Sequence, residues 1–182
     1  MDRTPGDRSP SGASMRRPRR WRSYSITGIA GLTLLAGQCA PAQQCAPSPP
    51  AVAPAGALQQ VVDITNAERG KVGLPALVVD QRLMNAAQGH SADQAALDRM
   101  SHTGSDGSDA GVRIRRQGYD WRAWGENVAA GYPDAPSVMR AWMASAGHRA
   151  NIQSGAFTQI GVGLAYAADG SAYWTQVFAA PR

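Results

Sequence analysis

Two strand patterns and the turn between them constrain the fold most. Ile160-Gly161-Val162-Gly163-Leu164-Ala165-Tyr166 alternates as a strand does, Ala168-Asp169-Gly170 turns the chain, and Ala172-Tyr173-Trp174-Thr175-Gln176-Val177-Phe178 returns. Period two puts successive side chains on opposite faces, so the pair reads as an antiparallel hairpin. What precedes it is mostly helical. Leu58, Val61, Val62 and Thr65 recur at helical spacing in a helix over 58–69, which Gly70 and Gly73-Leu74-Pro75 stop. Leu77-Val78-Val79 reads as a short buried segment. Asp80 caps a helix over 81–100 with the inward stripe Leu83, Ala87, His90, Gln94 and Leu97. A short helix over 110–117 ends at Gly118, and its Arg113, Arg115 and Arg116 read as a solvated face. A helix over 135–145 buries Val138, Met139 and Trp142 and ends at Gly147. Helices first, strands late and no βαβ alternation predict an α+β fold with helices packed on an antiparallel sheet.

Not all of the 182 residues belong to that domain. Residues 1–57 carry seven Arg against Asp2 and Asp7, so the whole formal charge of +5 lies there. Residues 58–182 balance 11 basic against 11 acidic side chains. A domain with no basic bias gives no footprint for nucleic acid. Residues 1–42 read as a signal peptide, with Met15 an alternative start. Arg16 to Arg22 form its basic region and Ile26 to Gly37 its apolar region, which falls short of the ~20 residues that span a bilayer. Ala40-Pro41-Ala42 fits the cleavage site. Leu35-Ala36-Gly37 resembles the start of a lipobox, but Gln38 stands where Gly, Ala or Ser is wanted, so secretion is preferred to lipid anchoring at Cys39. Residues 43–57 are a Pro/Ala-rich linker. Cys39 and Cys45 both precede the domain, so no disulfide holds it, and a chain of that length can bury a core of its own.

Three corners carry the candidate chemistry. Trp124-Gly125-Glu126-Asn127 sets a carboxylate and a carboxamide on a glycine corner ahead of a strand over 128–130. His102 lies upstream, in Ser101-His102-Thr103. His148 lies downstream, in Gly147-His148-Arg149-Ala150-Asn151-Ile152. Two imidazoles and one carboxylate can converge on a divalent metal with an open fourth position, the layout that lowers the pKa of bound water to about 7. They can equally form a polar cleft, or brace the scaffold. In the scaffold reading Glu126 accepts backbone N–H bonds, and Asn127 and Asn151 satisfy backbone groups at tight turns. His90, on the inward stripe, reads as a hydrogen-bonded core residue. Trp124, Trp142 and Trp174 read as core aromatics that could also line a lipid groove. The Asp-rich loop Ser101–Asp109 lacks the closing Glu of a calcium loop and reads as turn chemistry. There is no His-Glu-x-x-His helix, no Gly-x-Ser-x-Gly elbow and no cysteine nucleophile in the domain.

Ser101-His102-Thr103, Gly118-Tyr119, Gly125-Glu126-Asn127, Gly147 to Ile152, Ile160-Gly161-Val162-Gly163 and Tyr173 to Phe178 come in the order that resembles the CAP superfamily. This is the SCP-like group of cysteine-rich secretory, antigen-5 and pathogenesis-related proteins. The resemblance covers residues 58–182 and looks most like the short, cysteine-free bacterial branch. It implies an α-β-α sandwich with a cleft holding two His and two acidic residues, which in some members bind zinc or another divalent ion. His102, Glu126 and His148 match three of the four. The fourth falls near Ser145, and no Asp or Glu occurs between Asp134 and Asp169, so the set is a triad here.

Members of the family mostly lack a defined enzymatic activity. The expectation is therefore a secreted, monomeric, non-enzymatic module that binds a lipid, glycan or protein outside the cell, with Zn2+ or another divalent cation as a candidate ligand. The cleft would be His102, Glu126 and His148, supported by Asn127, Ser145 and Asn151. The alternative is a metal-dependent extracellular hydrolase of peptide or ester bonds using His102, Glu126 and His148. A third reading is a plain structural module of the envelope.

Overall fold

The computed structural model describes residues 56–182. The signal peptide and nearly all of the linker lie outside the described residues. The elements run α1 (Ala57–Gly70), β1 (Val78–Val79), α2 (Gln81–Ala96), α3 (Ala110–Arg116), β2 (Trp121–Ala130), α4 (Ala135–Ala144), α5 (Ala146–Ile152), β3 (Gln159–Tyr166) and β4 (Ala172–Pro181).

The hairpin forms as its pattern requires. Residues of β3 and β4 pair antiparallel from Gln159↔Ala179 to Tyr166↔Ala172. β2 pairs antiparallel with the other edge of β4, and β1 adds two residues parallel to β3, giving the order β1-β3-β4-β2. Alternation then sorts side chains into two layers. Ile160, Val162 and Leu164 of β3, with Trp174 and Phe178 of β4, face a core built with Val61 and Val62 of α1, Val138, Met139 and Trp142 of α4 and Ile152 of α5. Val177 and Ala179 face the opposite core, with Leu83, Ala86 and Ala87 of α2, Ile114 of α3 and Tyr119. The result is the expected α-β-α sandwich.

Gly161 and Gly163 set the spacing of the second layer. A Cβ at either would overlap the backbone of α2, at Leu83 and at Ala87 respectively. The helix therefore lies directly on the strand, and its polar stripe reaches β4. Ser91 Oγ and Gln94 Nε2 meet Thr175 Oγ1 at 3.0 and 3.1 Å, all fully buried.

Four expectations are corrected. The helix after Asp80 ends at Ala96 rather than Met100, because Asp98 takes a left-handed backbone (φ 47°) and Arg99 N turns back to Gln94 O. Leu97 caps the helix and is half exposed instead of completing the stripe. Val78 and Val79 are exposed, since β1 is a two-residue edge strand and only Leu77 reaches the core. Gly147 does not end the fourth helix. Ser145 breaks it with an extended backbone (φ −89°, ψ 124°), and Gly147 lies in the first turn of α5.

Arg69 at the end of α1 is fully buried and binds only backbone carbonyls. It donates to Pro75 O at 3.0 Å, Ile152 O at 2.9 Å and Ser154 O at 2.7 Å, tying α1 to the exit of α5.

Candidate functional site

Glu126 lies in the middle of β2, opposite Val177, and not on a glycine corner. Its register turns the side chain toward the layer of α2 and α3. The carboxylate is almost fully buried, and each oxygen has a partner. Oε2 accepts from Arg113 Nη2 at 2.6 Å. Oε1 lies 2.9 Å from His102 Nδ1 and 4.0 Å from His90 Nε2. A carboxylate only accepts, so His102 Nδ1 carries the proton in this contact.

Arg113 is the member of this group that sequence reasoning missed. It does not belong to a solvated face. Its side chain is only 11% exposed, and its guanidinium also donates to Ser108 O at 2.7 Å and His102 O at 3.2 Å. Helical spacing held the signal: Arg113 follows the buried Ala110 by three positions and adjoins the buried Ile114, on the inner side of α3. Arg115 and Arg116 leave that side, the first over the Trp121 ring and the second paired with Asp106.

His90 sits where its stripe predicts, buried under the sheet. Its Nε2 lies 2.8 Å from Ser101 O, so the proton is on Nε2. Nδ1 is then an acceptor with no partner among the described residues. Burial lowers the imidazole pKa below its ordinary value, against the opposing pull of Glu126. His102 is the reverse case. Its hydrogen bond to Glu126 raises its pKa, and partial burial opposes this.

Asn127 alternates to the other layer. Its Nδ2 donates to Gln176 Oε1 at 3.0 Å and to His148 O at 3.2 Å. Asn151 Nδ2 donates to Glu126 O at 3.1 Å and Asn127 Oδ1 at 2.9 Å, and Trp142 Nε1 reaches Val128 O at 3.2 Å. These bonds close the outer edge of β2 against α4 and α5 and shield it from pairing with another strand. The two asparagines do satisfy backbone groups, but from a strand and a helix rather than from tight turns.

His148 is half-buried on α5. Its pKa is lowered first by burial and then by the charge of His102. Ser145, the expected fourth position, stands at the α4–α5 junction without a side-chain cap bond and outside the pocket lining.

At the β2 edge, where the layers meet, a pocket of about 330 Å³ opens between His102, Thr103, Asp109, Trp124, Glu126 and Asn151. The residues present do not fit a metal. No three His, Cys, Asp or Glu side chains among the described residues are grouped to hold one. Glu126 spends one carboxylate oxygen on His102 Nδ1 and the other on Arg113, so the carboxylate is already neutralised by a fixed cation.

The model of the cysteine-rich secretory protein family matches residues 62–178. The YkwD protein of Bacillus subtilis is 38% identical over 120 residues, which cover 66% of this chain and 46% of that protein. An extracellular protein containing an SCP domain from Bacillus anthracis matches with a TM-score of 0.62 at 35% identity, over 68% of this chain and 40% of the other. An outer surface protein from Borrelia burgdorferi shares the fold, with a TM-score of 0.63 at 21% identity over 68% of this chain and 92% of that one. The chain spans less than half the length of the curated relatives it matches. The family match takes in both helical layers, all four strands with β4 as far as Phe178, and the His102–Glu126–Arg113 contact, and on it the chain belongs to the cysteine-rich secretory protein family.

Proposed function

We propose that the chain is an exported, monomeric binding module that holds a hydroxyl-rich ligand, an envelope glycan unit, in the pocket at the β2 edge, and that it has no hydrolytic activity. The observation that carries this reading is the engagement of both Glu126 oxygens by Arg113 and His102. Both oxygens of this buried carboxylate are already hydrogen-bonded, and a fixed guanidinium neutralises it, so it is poorly placed to take a proton from a substrate water or to ligate a Lewis acid. A metal-dependent hydrolase would need both. Three neighbouring groups suit a sugar instead. Trp124 offers an aromatic face, Asn151 an amide and His102 an imidazole, all on one small pocket. Asp109 and Glu126 in the same lining disfavour an acyl chain. Export is supported by the leader of residues 1–42 and by the Bacillus anthracis neighbour described as an extracellular protein.

The test is calorimetry of residues 43–182 with solubilised envelope glycans, beside Trp124→Ala and His102→Ala. Saturable binding weakened about tenfold or more in both variants is the expected result. Binding that both variants retain would place the ligand elsewhere. No heat with any glycan from a folded protein would refute the reading. Turnover of a peptide or ester substrate that requires His102 would replace it with the hydrolase.

A further inference from the structure

The guanidinium of Arg113 sits in a cage made only of oxygen. Glu126 Oε2 is at 2.6 Å, Ser108 O at 2.7 Å and His102 O at 3.2 Å. Two of these belong to the loop between α2 and α3, and the third belongs to β2. The loop is closed on itself by Gly104 N to Ser108 O at 2.9 Å, so Ser108 O accepts from both the loop and Arg113. One carboxylate and two carbonyls form the donor set that hard divalent cations take. Here an arginine anchored on α3 fills it.

We propose that Arg113 is the built-in cation of this pocket: it replaces a divalent ion at Glu126, and it positions His102 by tying the 101–109 loop to the sheet. By the resemblance Ser145 stands where a second acid is expected, and in this chain a guanidinium lies on the one carboxylate that remains. With one acid the cage carries a single negative charge, which one arginine neutralises. A fork of N–H donors also meets a carboxylate and two carbonyls at once, which an ammonium cannot do with the same geometry. The inference shares the Glu126 contact with the proposed function but needs no glycan, so either can fail alone.

The experiment is thermal unfolding of residues 43–182 as wild type, Arg113→Ala, Arg113→Lys and the double variant Arg113→Ala with Glu126→Gln. Each is measured in chelator, in calcium, in zinc and in methylguanidinium at matched ionic strength. The wild type should be indifferent to all three cations. Arg113→Ala should unfold at lower temperature and recover by about 4 °C or more in calcium or methylguanidinium. The double variant should lose that recovery, because the charge that attracts the cation is gone. Arg113→Lys should fall between wild type and Arg113→Ala and ignore calcium. If Arg113→Ala does not fold in chelator, folding recovered in methylguanidinium supports the proposal and no recovery in any cation overturns it. Stoichiometric calcium or zinc binding by the wild type, abolished by Glu126→Gln, would also overturn it. So would an Arg113→Lys variant as unstable as Arg113→Ala with neither responding to cations.

Discussion

Glu126 and Asn127 are consecutive on β2 and serve opposite layers of the sandwich. Glu126 pairs with Arg113 of α3 and His102 of the loop after α2. Asn127 binds Gln176 inside the sheet and the backbone of α5 at His148. The two-residue alternation of one edge strand thus pins both helical layers at one place, and the pocket opens beside it. His148 has its pKa lowered first by burial and then by the charge of His102.

The two neighbours should differ in what they cost when removed. Glu126→Ala leaves the largely buried Arg113 without its counter-ion, and breaking such a pair costs about 3–5 kcal/mol. Asn127→Ala strands Gln176 Oε1 and one α5 carbonyl, a loss of about 1–3 kcal/mol. Urea unfolding of both variants checks the order. If Glu126→Ala is the milder of the two, the ion pair is not what holds the 101–109 loop to the sheet.

The three histidines should titrate on different sides of the ordinary value of 6.5. His102 is raised by its bond to Glu126, while His90 and His148 are lowered, chiefly by burial. The folded state therefore favours charged His102. Its stabilising contribution is complete below 6.5 and fades as pH rises through the raised folded value. For His90 and His148 the folded state favours the neutral ring, so their contribution is complete above 6.5 and is lost as pH falls through their lowered values. Imidazole NMR titration reads all three. His102→Gln should move His148 upward by removing the neighbouring charge, yet leave it below 6.5, since burial is the larger cause. A His148 signal that ignores the substitution would mean the two rings do not face a common space.

Gly163→Ala should separate α2 from the sheet. The added methyl overlaps the Ala87 backbone, which cannot rotate away as a side chain would. Overpacking of this kind costs about 1–3 kcal/mol and more where backbone must shift. His90 lies one turn along α2, so its bond to Ser101 should loosen as well. Amide hydrogen exchange in α2 and the 101–109 loop is the measurement. Unchanged protection would show that the close approach can relax without moving the helix.

Periodicity and motif order gave away most of the scaffold. The β3–β4 hairpin, the Asp80 cap, the inward His90 and the buried Val138, Met139 and Trp142 all follow from patterns within a few residues. What escaped depends on residues far apart in sequence. Helical spacing puts Arg113 on the inner side of α3 but does not name its partner, a carboxylate thirteen positions on, whereas Arg116 is left at the surface. Glu126 looked like a corner because Gly125 precedes it. In fact Gly125 is needed where a Cβ would press on Phe157 at 2.9 Å inside the sheet. Val78 and Val79 read as buried because β-branched runs usually are, but a strand pairing over two residues at a sheet edge has one side with no neighbour.

Arg69 gives the sharpest case of a polar group whose role no motif announces. It is fully buried and donates to four backbone carbonyls, with no carboxylate within ion-pair distance among the described residues. Burial lowers its pKa, and the carbonyl dipoles alone compensate the charge. Arg69→Met keeps most of the apolar stem and removes every donor, so the carbonyls of Pro75, Ile152 and Ser154 lose their partner together. Each such loss costs about 1–3 kcal/mol when no water replaces the donor. The variant should therefore be destabilised more than Asn127→Ala. Because Arg69 grips the chain just after α5, the effect should also reach the pocket. Asn151 should lose its hold on Glu126 O, and the β2 edge should become open to exchange. Chemical denaturation paired with amide exchange at Asn127 and Val128 decides it. A destabilised variant with fully protected β2 amides would show that α5 is fixed by Asn127 and Asn151 without help from Arg69.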